Sequence, residues 1–318
     1  MYRNVNAKYC KKGRQNNRMI EMPYDLSCML KKNDTRDHLG KEKYGNKWNY
    51  NNQGKSDCNL NSKYNFQKKI KYYKVEPNSN GPIRLNRYLA NSGLCSRRKA
   101  DKYIQTGLVK KNGIPVTEFG TRVNRTDNIT FCNSLVRSEH KVYLLLNKPK
   151  NCVTTTNDPQ GRLTVMDLIK TACKEQIFPV GRLDRNTTGV LLLTNDGKLS
   201  AKLTHPRHMK KKIYHVWLNR GIDAADIKKL SKGIQLEDGG ICADDISYVN
   251  DKDKTQINIE IHSGRNHIIR RMFESLGYHV VKLDRVYFAG LTKKKLKKGQ
   301  WCFLNDREVS MLYMEKFS

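Results

Sequence analysis

Apolar residues are unevenly spread along the chain. From residue 1 to about 80 they are sparse and without period, and from Pro82 onward they recur at the spacings of helices and strands. In Ile83-Arg84-Leu85-Asn86-Arg87-Tyr88-Leu89-Ala90-Asn91-Ser92-Gly93, Leu85, Tyr88 and Leu89 fall at i, i+3 and i+4. That spacing predicts a short amphipathic helix stopped by Gly93. A second helix is expected from Ser96, a good N-cap, to Gly107, with Ala100, Tyr103 and Ile104 on its core face. Leu108 to Val116 reads as two strands around the Asn112-Gly113 turn, and Val123 to Phe131 closes a small sheet.

Beyond the polar linker Ser134 to His140, Val142 to Leu146 predicts a strand that ends at Asn147-Lys148-Pro149. Leu163 to Thr171 reads as a helix after the turn Asp158-Pro159-Gln160-Gly161. The apolar run Val190 to Leu193 reads as a buried strand, stopped by Asn195-Asp196-Gly197, with Asp196 as a turn or N-cap residue. A helix over Lys198 to Leu203 and an alternating strand over Lys210 to Leu218 follow. Ala224 to Leu230 is helical, and Ile246 to Asn250 pairs with Gln256 to His262. The helix expected over Asn266 to Leu276 buries Ile268, Ile269, Met272, Phe273 and Leu276 and exposes His267, Arg270 and Arg271. Strands over Val280 to Val286 and Gln300 to Leu304 and a helix from Asp306 complete the pattern. Strands dominate with a few helices between them, so the class is α+β. A small α/β domain over 82–132 and a linker over 133–141 precede a larger domain over 142–318, built on a largely antiparallel sheet with flanking helices.

Composition alters the reading of the first 80 residues. They hold 18 Lys/Arg against 7 Asp/Glu, 14 Asn, and nine Ile, Leu, Val or Phe in total. So few large aliphatics cannot offset the entropy of ordering the backbone, and a disordered basic tail is expected. Its eight tyrosines can stack on bases while its lysines meet phosphates. The whole chain of 318 residues carries a net charge of +31, which points to a polyanionic partner, nucleic acid before all others. A membrane partner would want an apolar span, a polybasic amphipathic helix or an anchor, and none is legible. The nine cysteines are scattered, with no C-x-x-C pair and no Cys/His cluster. No metal site or disulfide framework is expected, and isolated thiols suit a reducing cytoplasm.

The candidate chemistry lies in Gly181-Arg182-Leu183-Asp184-Arg185, one carboxylate between two arginines at the mouth of the Val190 strand. Taken alone, such an aspartate reads as a surface ion pair, Tyr214 in its alternating strand as core, and Arg270 as a solvated helix residue. Their joint occurrence, in this order, reads otherwise. Three further segments set the context: Leu145-Leu146-Asn147-Lys148-Pro149, Lys212-Ile213-Tyr214-His215-Val216, and Gly264-Arg265-Asn266-His267-Ile268-Ile269-Arg270-Arg271-Met272-Phe273. With the aspartate loop, these resemble the RsuA/RluB family of ribosomal RNA pseudouridine synthases over roughly residues 142 to 305. Upstream, Arg84 to Leu89, Ser96-Arg97-Arg98-Lys99-Ala100 and Val109-Lys110-Lys111-Asn112-Gly113 resemble the alpha-L RNA-binding domain. Ile268 departs from the pattern, since many relatives carry a glutamine or similar polar residue there. The endings Leu283-Asp284-Arg285-Val286 and Leu296-Lys297-Lys298-Gly299-Gln300-Trp301 look like the branch acting on large-subunit rRNA.

The resemblance implies site-specific isomerisation of uridine to pseudouridine in rRNA, without metal or cofactor, by a cytoplasmic monomer. Asp184 would be the catalytic aspartate, Tyr214 would stack on the target uracil, and Arg270 would pair with the aspartate. A carboxylate closed in over a base needs a cation to stay ionised, and a guanidinium supplies one at any working pH. Arg84, Arg87, Arg97, Arg98, Lys99 and Lys102 would dock structured RNA through phosphate contacts. Arg182, Arg185, Arg265 and Asn266 are candidates for RNA contact around the reacting nucleotide. The carboxylate would act on the sugar as a covalent or as a proton-abstracting partner; the residues leave both open. The competing class is a non-catalytic RNA-binding assembly factor, which has no use for a carboxylate facing phosphates. Deleting residues 1–80 is expected to weaken RNA affinity and flatten its dependence on salt. Binding titrations over a range of ionic strengths check this, and an unchanged slope would remove the tail from the interface.

Overall fold

The computed structural model describes residues 81–314. The expected tail over 1–80 and the last four residues lie outside these.

The smaller unit begins with strand β1 (Ile83–Arg84) and helices α1 (Leu85–Asn91) and α2 (Arg97–Gln105). The Ser96 hydroxyl caps α2 by accepting from the Lys99 amide at 3.3 Å. Two strands here differ from expectation, and one of them, at Ser134–Leu135, lies inside the expected linker and pairs with the sheet. β2 (Val109–Lys111), β3 (Ile114–Pro115), β5 (Ile129–Phe131) and β6 (Ser134–Leu135) form a four-stranded sheet, whereas β4 (Arg122–Val123) leaves it to pair with β1. Asn112 and Gly113, both at positive φ (52° and 86°), make the β2–β3 turn. Leu85, Leu89, Ala100, Ile104, Val109 and Ile129 fill the core of this unit.

The larger unit runs β7 (Tyr143–Lys148), α3 (Val165–Leu168), β8 (Phe178–Pro179), β9 (Thr187–Thr194), α4 (Gly197–Thr204), β10 (Lys212–Leu218) and α5 (Ala224–Lys232). It continues with the hairpin β11 (Ile234–Leu236) and β12 (Gly239–Ile241), then β13 (Asp245–Asn250), β14 (Asp253–Ile261), α6 (Ile268–Glu274), β15 (Val280–Phe288), β16 (Leu291–Thr292), β17 (Trp301–Phe303) and α7 (Asp306–Tyr313). Nine of these strands make one sheet with the main order β13-β14-β10-β15-β9-β7-β17, β8 lying on β9 and β16 on β15. The pattern-based reading missed the β11–β12 hairpin and β16, which are short and lack a clear alternation. It overran α3: the Thr164–Asp167 capping box starts that helix, and Ile169 already ends it.

Every pairing in the sheet is antiparallel except one. β15 runs parallel to β9, with Leu283, Asp284 and Arg285 opposite Thr187, Thr188 and Gly189. This seam joins two antiparallel halves, one made by β7, β8, β9 and β17, the other by β10, β13, β14, β15 and β16. Thr188 crosses it, its hydroxyl donating to Asp284 Oδ1 at 2.8 Å, and Lys293 holds the other oxygen of Asp284 at 2.5 Å. One sheet face packs on the larger core, which includes Leu144, Leu191, Val216, Ile259, Met272 and Phe273. The opposite face packs on α4 and α7 through Leu145, Val190, Leu192, Leu199 and Leu312. Asp196 caps α4 as expected, accepting from the amides of Lys198 and Leu199. Among the described residues no helix is long and apolar enough to cross a membrane.

Gly189 makes the seam possible. It holds φ at +112°, and a Cβ there would fall on the backbone oxygen and nitrogen of Arg285. Gly189→Ala is expected to lower stability by about 1–3 kcal/mol from overpacking, with backbone strain added. The predicted readout is a melting temperature several degrees lower in thermal unfolding, and an unchanged value would show that the strands part without cost.

Candidate active site

β7 ends at Lys148 and β9 begins at Thr187, and the two strands pair as far as Lys148 opposite Gly189. The loop between Leu183 and Thr187 has no ladder of its own, so its carbonyls need another donor. The Lys148 ammonium, wholly buried, supplies it. It donates to the carbonyls of Pro149 at 3.2 Å, Asp184 at 3.0 Å, Arg185 at 3.3 Å and Thr187 at 2.9 Å. Thr154 pins the residue before the aspartate, its hydroxyl donating to the Leu183 carbonyl at 2.7 Å. Burial pushes the Lys148 ammonium down to about 8, with the nearby Asp184 charge opposing the shift. All four of its partners are acceptors, which suits the charged ammonium with its three donors.

So held, the Asp184 side chain stands one-third exposed, at 34%. Its Oδ2 accepts from the Thr187 hydroxyl at 3.3 Å, and its Oδ1 lies 3.5 Å from His267 Nε2. That last pair carries opposite charges only when the imidazole is protonated. Arg270, expected beside the carboxylate, is elsewhere: its Nη1 donates to the Val280 carbonyl at 2.9 Å and ties α6 to β15. The reason is local. The helix begins at Ile268 rather than Asn266, with His267 as a left-handed N-cap residue at φ 48°. A residue of the entering loop thus reaches Asp184, while Arg270, one turn on, faces the sheet. Ile268 is buried in the larger core.

Asp184 opens onto a cleft of about 1240 Å³, and among the described residues it is the only carboxylate in the lining. Tyr214 lines the cleft too, 8% exposed and backed by the larger core. The rest of the wall comes from the turn after α4, from β12, from the loop of residues 262–267 and from β15. Arg182, Arg185 and Arg265 line it as exposed side chains, with Asn266 beside them and Arg207 opposite. Lys210, Lys212 and Arg285 lie deeper. Lys212 donates to the carbonyls of Lys210 at 3.1 Å and His262 at 2.6 Å, which ties β10 to the loop carrying Arg265. Burial and the nearby Arg285 charge push its ammonium down to about 8.

Arg265 is also engaged at the rim, donating to the Gly239 carbonyl at 3.1 Å and standing 3.6 Å from Asp238. Arg271 grips the same carboxylate with both terminal nitrogens, at 2.9 and 2.8 Å, so the β11–β12 hairpin is latched to α6. In the smaller unit Arg84, Arg97, Arg98, Lys99 and Lys102 are exposed and Arg87 is half-buried, on or beside α1 and α2. Three residues of the site escaped the reading by pattern: Lys148, His267 and Arg285. Lys148 had one legible signal, a charge ending an apolar strand directly before proline. The others depend on a left-handed turn and on strand register, which spacing does not encode.

Residues 142–275 match the RNA pseudouridylate synthase family and residues 83–129 the S4 domain. The chain is 40% identical over 233 residues to the ribosomal large subunit pseudouridine synthase B of Bacillus subtilis, covering 72% of this chain and 95% of that one. It is 38% identical over 234 residues to an uncharacterized RNA pseudouridine synthase of Aquifex aeolicus, covering 73% and 94%. A crystal structure of a pseudouridylate synthase superposes with a TM-score of 0.54 at 30% identity, over 72% of this chain and 99% of that one. With the relatives spanned almost end to end and the Asp184 cleft inside the matched region, the chain belongs to the RNA pseudouridine synthase family.

Proposed function

We propose that the protein isomerises one uridine of large-subunit ribosomal RNA to pseudouridine, with Asp184 as the catalytic carboxylate and Tyr214 as the face on which the target base stacks. The observation that carries this reading is the cleft itself, where a single carboxylate shares the wall with a backed aromatic ring amid cations. The reaction breaks N1–C1′, turns the base and joins C5 to C1′, while C5 loses a proton and N1 gains one. Oxidation state is unchanged, so the chemistry needs no redox partner. Asp184 acts on the sugar, and Tyr214 stacks on a base taken out of its helix, which is worth about 1–3 kcal/mol. The exposed arginines around the cleft and on the S4 helices suit phosphates of a folded RNA, positioning it without reading its sequence. The choice of large-subunit rRNA rests on the name of the Bacillus subtilis relative and on the ending of the sequence. A cytoplasmic monomer fits the same reading.

The test is to incubate wild type and Asp184→Asn with unmodified ribosomal RNA and map pseudouridine by carbodiimide-dependent primer-extension stops. Wild type is expected to produce a site-specific stop, and the variant to form it at least about a thousandfold more slowly. No stop with wild type would end the enzymatic reading, and equal stops would end the assignment to Asp184.

Lys212 gives a pH signature. Its folded-state pKa of about 8 lies below its ordinary 10.5. Between those values the unfolded chain binds more protons, so stability rises with pH there and the full penalty of burial is felt below about 8. RNA affinity moves oppositely, since the cleft loses a cation over the same range. Binding titrations from neutral pH upward should fall off more steeply for wild type than for Lys212→Met, while thermal melts show wild type gaining relative to the variant. Parallel profiles would remove Lys212 from both effects.

A further inference from the structure

Deep in the cleft lies a guanidinium whose donors are not all used. Arg285 is 2% exposed. Its Nε donates to the Val190 carbonyl at 2.9 Å, and its guanidinium carbon sits 4.6 Å from the centre of the Phe288 ring. Its Nη2 is buried with no hydrogen-bond partner. Among the described residues no carboxylate pairs with it; the neighbouring Asp284 is taken by Lys293 and Thr188. A buried donor left unmade costs about 1–3 kcal/mol, more when charged. Such a vacancy in a cleft wall calls for an acceptor that arrives with the ligand.

Strand register says what that acceptor meets. Tyr214 and Arg285 are direct partners in the β10–β15 ladder, so their side chains leave the sheet on the same face. On its other side Arg285 pairs with Gly189, at the start of the strand that Asp184 precedes. Arg285 thus shares a wall with the proposed stacking ring, below the proposed catalytic loop. Exposed cations such as Arg182 and Arg185 are within reach of a polymer's phosphates. A guanidinium 2% exposed, against the Phe288 ring and opposite Tyr214 in register, lies away from such phosphates and suits a base turned out of its stack.

Arginine has five donors and no acceptor. At position 4 uracil presents a carbonyl oxygen, whereas cytosine presents an amino group, itself a donor. We propose that Arg285 determines base specificity, its unused Nη2–H donating to O4 of the target uracil and rejecting cytosine by setting donor against donor. This rests on reading the cleft as a uridine isomerase and adds the group that tells it which pyrimidine to accept.

The experiment uses the full chain and an RNA spanning the stop mapped for wild type, prepared with uridine, cytidine or pyrimidin-2-one riboside (which lacks O4) at that nucleotide. Binding is measured in the Asp184→Asn background so that nothing is converted. The uridine RNA is expected to bind about tenfold or more tighter than either analogue, and adding Arg285→Met should bring both ratios near one. A uridine preference that persists in the double variant overturns the proposal. Should Arg285→Met fail to fold, judged by its thermal melt, the Asp184→Asn protein alone decides: equal affinity for the uridine and pyrimidin-2-one RNAs overturns it. Failure of the isomerase reading shows separately, as the absence of any stop with wild type.

Discussion

One buried ammonium organises the site. The loop that presents Asp184 lies where a sheet strand gives out, and its carbonyls find no neighbouring strand. Lys148 answers three of them from beneath, binding the backbone of Asp184, Arg185 and Thr187 as well as its own neighbour Pro149. The arrangement leaves the carboxylate to face outward, because the main chain of the same residue faces in. Burying a charge is costly without acceptors, so the loop and the lysine each require the other. Lys212 works in the same way with the carbonyls of Lys210 and His262. Two loops that border the cleft, those of Asp184 and of His262, are thus each held by a lysine ammonium.

Much of the fold was legible. The helices at Leu85 and Arg97 follow from apolar spacing, a serine cap and two glycines, all local effects. β9 and β10 follow from an apolar run and from alternation. The seam was not legible, because pairing of β9 with β15 is a contact between distant residues whose only local trace is Gly189. At the site, Asp184 and Tyr214 line one cleft. Arg270 does not, since a single left-handed residue delays the helix and substitutes an imidazole for the expected guanidinium. Family order located the loop and the helix; it could not say which way one side chain on that helix would turn.

The rim is held by different forces from the floor. Asp238 joins Arg271 and Arg265 in a setting open to water, with side chains from 27% to 44% exposed. Exposed ion pairs of this kind contribute little and are screened by salt. Lys148 and Lys212 bind carbonyl dipoles in the interior, where salt scarcely reaches. Raising ionic strength therefore loosens the hairpin that borders the cleft while leaving the Asp184 loop in place.

The seam between the antiparallel halves bears on how the protein is made. Asp184 belongs to one half and Tyr214 and Arg285 to the other, and they become neighbours only when β15 docks in parallel on β9. Docking of strands so far apart in sequence is a slow, late kind of event in folding. A chain still emerging from the ribosome completes its S4 unit long before residue 285 is available. During synthesis the S4 unit is thus complete first, and the cleft is assembled only once β15 (Val280–Phe288) has been made.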